Sequence, residues 1–191
     1  MLKDLLKKSR SYRSFDSSVK ISEEQLADWI DCARYCPSSI NMQALKFRPV
    51  TEESECAALL ATTRWAGKLK ELKLPPVGHE PAAYVVVCID EEICKNTDIF
   101  LKDVGICAQT IMLAACEAGF GGCMIGSYSA DSIMEILQLP SHLQPKLVLA
   151  LGKPDEVVAL AELPESGDTS YYRENGVHYA PKRPLDDIIV K

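Results

Sequence analysis

The spacing of apolar positions divides this chain into a series of short helices and strands. Leu2, Leu5 and Leu6 recur at helical spacing, which predicts a short helix running into Arg10. Ser22 and Gln25 form a capping-box pattern ahead of Leu26, Trp29, Ile30 and Ala33, so a second helix begins there. It closes at Cys36-Pro37, because the residue before a proline is disfavoured in the helical region. Phe47 to Val50 reads as a short strand, and Thr51-Glu52-Glu53 starts another helix with acidic residues in its first turn. Trp65 to Leu74 can form a helix, which Pro75-Pro76-Val77-Gly78 ends as a loop. The run Ala82 to Ile89 is apolar throughout, the pattern of a strand covered on both faces.

From Ile99 to Ala118 the pattern is helical and apolar nearly all round. Val104, Cys107, Ala108, Ile111, Ala115 and Ala118 mark one stripe, and Ile106, Leu113 and Ala114 fill the others. Such a helix is buried from several sides, as at a subunit interface, and Gly119 stops it. Cys123 to Gly126 and Lys146 to Leu151 read as further strands. Between them Ser129 caps a helix holding Ile133, Ile136 and Leu137 and ended by Pro140. After Gly152-Lys153-Pro154 the core elements run out. Residues 155–191 show no long amphipathic helix, and Leu185 to Val190 predicts a terminal strand or short helix. A polar tail ending in an apolar segment suits exchange with a neighbouring chain. With no internal repeat, residues 1–191 read as a single domain, an α/β sandwich of strands and helices.

Composition narrows the function. The chain has 191 residues, 47% hydrophobic and 25% charged, an ordinary globular mixture. A net charge of −6 argues against a nucleic-acid partner. Residues 1–20 nevertheless hold Lys3, Lys7, Lys8, Arg10, Arg13 and Lys20 against Asp4 and Asp16, and Lys182-Arg183 sit near the other end. Basic clusters on an acidic protein suit a small anion. The apolar runs fall short of a bilayer crossing, and the first residues lack a secretory pattern. The eight cysteines form no Cys-x-x-Cys pair and read as buried free thiols of a reducing cytoplasm.

Two segments carry the chemistry. Ser9-Arg10-Ser11-Tyr12-Arg13-Ser14-Phe15 sets two guanidinium groups and a hydroxyl close together, and guanidinium binds phosphate as a fork. Pro37-Ser38-Ser39-Ile40-Asn41-Met42-Gln43 packs hydroxyls and amides into a loop that can satisfy the edges of a polar ring. Gly119-Phe120-Gly121-Gly122 is not a dinucleotide phosphate loop. It lacks the third glycine and follows a helix instead of a strand. Its glycines instead close the helix and let backbone approach something flat. His79, His142 and His178 fall in no nucleophile or zinc pattern and are expected at the surface or in loops. A polar ligand loop without an acid, base or nucleophile set indicates that a cofactor brings the reactivity.

In this order the segments resemble the nitroreductase family of flavoproteins. The family opens on an Arg-Arg-Ser-x-Arg-x-Phe-like segment, here Ser9 to Phe15. A Pro-Ser-x-x-Asn-x-Gln loop follows, here Pro37 to Gln43. A long central helix and glycine-containing strand match Asp103 to Ala115 and Gly119 to Gly126. A Pro-Lys-Arg-Pro-Leu-like end matches Pro181 to Leu185. The resemblance implies an α+β fold with a central mixed or antiparallel sheet flanked by helices. It also implies a homodimer with C-terminal segment exchange and FMN at the subunit interface. By match, Arg10, Ser11, Arg13, Lys182 and Arg183 hold the phosphate and ribityl chain. Pro37, Ser38, Ser39, Asn41 and Gln43 line the flavin from the partner subunit, and Met124, Ile125 and Gly126 approach the ring.

NADH or NADPH is then the electron donor, and a nitroaromatic, quinone, enone or free flavin is the small-molecule acceptor, in ping-pong order. A flavin-cleaving or dehalogenating relative and a flavin-binding redox sensor without turnover are the alternatives. Three departures stand out. Ser9 replaces the first arginine of many members, Ala44-Leu45 replaces Pro-Trp, and the 65–80 segment is short.

Overall fold

In the computed structural model, which describes residues 1–69 and 71–190, five helices and seven strands follow one another among the described residues. The first are α1 (Leu2–Lys8), α2 (Glu23–Arg34), β1 (Leu45–Val50), α3 (Glu53–Thr62), β2 (Ala83–Asp90) and α4 (Leu101–Glu117). Then come β3 (Gly121–Ile125), α5 (Ala130–Ile136), β4 (Leu143–Gly152), β5 (Val157–Glu162), β6 (Tyr172–Glu174) and β7 (Val177–Lys182). Strands β1 to β4 form an antiparallel sheet in the order β1-β2-β4-β3.

The sheet is the middle layer of three. Every residue of β2 is buried, and the strand's period of two sends alternate side chains to two separate cores. Val85, Val87 and Ile89 pack with Leu26, Trp29, Val104, Ala108 and Ile111 of α2 and α4. Tyr84, Val86 and Cys88 pack with Leu59 of α3 and Ile133 of α5. The expectation of a strand covered on both faces holds.

Local signals act as the sequence suggests. The Ser22 hydroxyl accepts from the Gln25 N–H at 3.2 Å, and the Gln25 side chain accepts from the Ser22 N–H at 3.0 Å. Ser129 caps α5. Gly119, at φ +83°, turns the chain out of α4. A 3-10 turn, Thr97–Phe100, leads into α4, and together they have the length and mean hydropathy of a bilayer-crossing helix, 1.6 over the best window. The apolar-run reading did not anticipate this. The helix lies in the core against the sheet and α2, with Val104, Cys107, Ala108, Ile111 and Ala115 buried.

Two expectations are corrected, and for Leu185 to Val190 the short-helix alternative holds in part. The core elements do not run out after Pro154. Strands β5, β7 and β6 form a second sheet in that order, β5 parallel and β6 antiparallel to β7. Asn175 and Gly176, at φ +50° and +79°, make the tight hairpin turn between β6 and β7. Among the described residues from Trp65 to Leu74 there are turns and no helix, and Lys70 lies outside them. Leu185–Asp187 forms a single 3-10 turn, and no strand follows it up to Val190. The eight cysteines are free, five of them buried, while Cys32 is exposed and Cys36 and Cys94 are half-buried.

Candidate functional site

The segment after α1 runs extended along the end of the central sheet. Tyr12 donates its backbone N–H to Gly122 O at 2.9 Å, Phe15 donates to His79 O at 3.1 Å, and Asp16 donates to Lys153 O at 2.8 Å. Two glycines make room for the aromatic rings. A Cβ on Gly121 would stand 2.6 Å from the Tyr12 ring, and one on Gly152 would stand 2.7 Å from the Phe15 ring. The flat body that the glycine stretch admits is thus Tyr12.

With Tyr12 turned toward the glycines, the extended backbone directs Ser11 and Arg13 to the other side. Arg10, Ser11 and Arg13 there line a cavity of about 290 Å³ with Tyr171 and with His178 and Lys182 of β7. The two basic ends of the sequence meet in this cleft. Arg183, exposed beyond β7, is not among its lining residues.

The cleft is rich in donors and poor in acceptors. Arg13 is buried. It donates to Ser11 O and to His178 Nε2, each at 3.2 Å, and its guanidinium carbon lies 5.0 Å from the Tyr171 ring centroid. Glu156 accepts from the Arg13 backbone N–H and from the Arg173 side chain. Among the described residues, Arg10, Arg13 and Lys182 form no ion pair. Arg10 Nε, Arg13 Nε, Arg173 Nε and His178 Nδ1 are buried without a hydrogen-bond partner. Burying unpaired donors is costly, so a cluster of them fits an anion that supplies the missing acceptors. His178 corrects the expectation that the histidines lie at the surface. It is 3% exposed and sits in a strand. Burial, with Arg13 and Arg173 beside it, pushes its pKa down to about 4.

The second segment builds a different cavity. Tyr35 caps α2, and the loop after it folds over the buried Asp103 at the start of α4. Ser38 Oγ, Ser39 N–H and Ser39 Oγ donate to the Asp103 carboxylate at 2.9, 2.8 and 2.8 Å. Burial pushes that carboxyl up, but these donors from Ser39 and Ser38 outweigh it and hold it below the usual carboxylate range. The Ser38 and Ser39 hydroxyls are therefore engaged within the protein. Ile40, Asn41 and Gln43 sit at φ +46°, +55° and +52°, a strained run for residues with side chains. Pro37, Ser38 and Gln43 line a cavity of about 490 Å³ with Ile30, Cys36, Phe47 and Asp103, while Ser39 and Asn41 lie outside its lining.

The remaining expected positions line neither cavity. Met124 is half-buried against the α2–α4 core, and Ile125 is buried in the α3–α5 core. Gly126 is exposed, with open space where a Cβ would stand. Two residues missed in the sequence organise the site. Asp103 had a signal as the lone acid in the first turn of an apolar helix. His178 had one in its period-two spacing with Ala180 and Lys182.

Comparison with known proteins places the chain in a family. The sequence profile of the nitroreductase family matches residues 6–153. The chain belongs to the nitroreductase family. It is 34% identical over 186 residues to an FMN reductase (NADPH) of Bacillus subtilis, covering 87% of this chain and 70% of that one. It is 27% identical over 202 residues to the oxygen-insensitive NADPH nitroreductase of Salmonella typhimurium, covering 98% of this chain and 77% of that one. An FMN-dependent nitroreductase from Clostridium difficile R20291 superposes with a TM-score of 0.67 at 25% identity, over 90% of this chain and 97% of that one. The α+β fold is that of the family, and the central sheet is wholly antiparallel.

Proposed function

We propose that this chain binds FMN by its phosphate in the Arg10–Arg13–Lys182 cleft and works as a homodimer whose partner supplies the Pro37–Gln43 loop. As a nitroreductase-family member it is an NAD(P)H-dependent flavin oxidoreductase. The observation that carries the cofactor reading is the group of buried donors without acceptors around Arg13. A phosphate dianion supplies several acceptor oxygens at one point, and guanidinium groups match it as forks. When bound, FMN supplies two-electron chemistry that takes a hydride and passes electrons on.

The protein's part is to bind, orient and admit. Arg10, Ser11, Arg13 and Lys182 take the phosphate end, with Arg183 close by in sequence. Met124 to Gly126 present backbone to the ring, and the open space at Gly126 permits a close approach. In one chain the phosphate cleft and the loop cavity share no lining residue, as expected when each completes a site with a second copy. Around the loop cavity Tyr35, Ile40, Ile99, Leu101 and Ile106 are exposed, an apolar rim suited to burial in a dimer. The exposed Leu185, Ile188 and Ile189 form the tail we propose is exchanged. Asn41 and Gln43 sit at the strained loop, where the Gln43 amide donates to Asn41 O at 3.3 Å, and they face the flavin edge. Ser38 and Ser39, bound to Asp103, position them.

NADH or NADPH and the acceptor (nitroaromatic, quinone, enone or flavin) use one opening in turn, which gives ping-pong kinetics in a cytoplasmic setting. The test is reconstitution. Protein incubated with FMN and desalted should retain a flavin spectrum, and Arg13→Ala should raise the FMN Kd by roughly 10- to 100-fold. A wild-type protein that emerges colourless would overturn the reading.

A further inference from the structure

His178 lines the phosphate cleft, and no family segment marks it. Arg13 Nη1, which can only donate, lies 3.2 Å from its Nε2. Nε2 therefore accepts, and the ring, neutral in neutral solution because burial, Arg13 and Arg173 depress its pKa, carries its proton on Nδ1. That Nδ1–H is buried and has no partner. The ring lies against Tyr171, tilted at 39° with centroids 5.3 Å apart, and it lines the same cavity as Arg10 and Lys182. Around it stand Arg10 and Arg13 from the N-terminal segment, Arg173 of β6 and Lys182 of its own strand. Glu156, ahead of β5, is spent on the Arg13 N–H and on Arg173. The buried Cys123 thiol of β3, near Arg13, is pushed up and stays neutral. Neither of these groups is a partner for Nδ1, which makes no hydrogen bond within the protein.

We infer that His178 is a ligand of the cofactor phosphate, donating its Nδ1–H to a phosphate oxygen while Arg13 fixes the ring's tautomer. The inference rests on the FMN reading above and makes His178 a determinant of FMN over its dephosphorylated form. The step is hydrogen bonding alone, with no proton changing owner.

Binding of FMN and of riboflavin to the protein, followed by flavin fluorescence, tests it. His178→Leu should weaken FMN about tenfold or more, the usual scale for a hydrogen bond to a charged group, and leave riboflavin within about twofold. His178→Asn, whose amide N–H stands near the Nδ1 position, should recover most of the loss, and His178→Gln should not. Equal losses for FMN and riboflavin, or no loss for FMN, would sink the assignment.

Ring ¹⁵N spectra of the wild-type protein give a second readout that needs no variant to fold. Inorganic phosphate added to flavin-free protein should move the His178 Nδ1–H resonance and leave Nε2 unprotonated. An unmoved resonance refutes the phosphate contact. If phosphate moves it but FMN does not bind, the contact stands and the flavin reading falls.

Discussion

Arg13 and His178 form a pair whose properties come from burial. Each is poorly exposed, and the cation has no carboxylate on its side chain among the described residues. The histidine is held down to about 4, against about 6.5 for a free side chain. As pH falls, the unfolded chain protonates this residue first. The stability that neutral His178 contributes is complete above about 6.5 and is lost between there and about 4. His178→Gln should therefore flatten the fall in stability between pH 7 and pH 4.5, by roughly 2–3 kcal/mol at most. Urea midpoints of the flavin-free protein at the two pH values read this out, and parallel losses in both proteins would contradict it. Neither the neutral state nor the site was legible in the sequence. A lone histidine between a valine and a tyrosine shows nothing of the arginine that arrives from residue 13.

At the scale of elements, the sequence was most legible where a local rule acts alone. The Ser22–Gln25 capping box, the apolar run of β2 and the helix stop at Gly119 all stand in the fold. It was least legible where pairing is distant. Strand β6 is three residues long, and β5 pairs with β7 about 20 residues away, so neither shows a period long enough to read. The Asn175-Gly176 turn was the signal available. The glycines of the 119–122 stretch were half legible, since their need for a flat neighbour was clear but Tyr12 was not.

Gly122 sets the register of the phosphate segment, because Ser11 bridges to it. A Cβ there would stand 2.1 Å from Ala150 O, a backbone atom that cannot move aside. Gly122→Ala should cost about 2–3 kcal/mol in urea unfolding and weaken FMN binding by shifting Ser11. An unchanged midpoint would show that β3 and β4 can part without loss.

For the whole molecule, the fold brings residues 10–13 and 178–182 into one cleft and holds residues 37–43 at another. The family motifs named residues 10–13, Lys182 and residues 37–43 from sequence but not His178, and the division into two cavities emerges only in three dimensions. It is also what makes a two-chain site the reading we favour. Sedimentation should give a dimer, and a monomer that still binds FMN tightly would remove the partner loop from the site. The central claim, that this chain passes electrons from a nicotinamide through bound FMN to a second substrate, has a direct test. NADH or NADPH added without oxygen to FMN-loaded protein should bleach the flavin absorption, and a quinone added afterwards should restore it. A flavin spectrum that stays oxidised under an excess of both nucleotides would contradict the account.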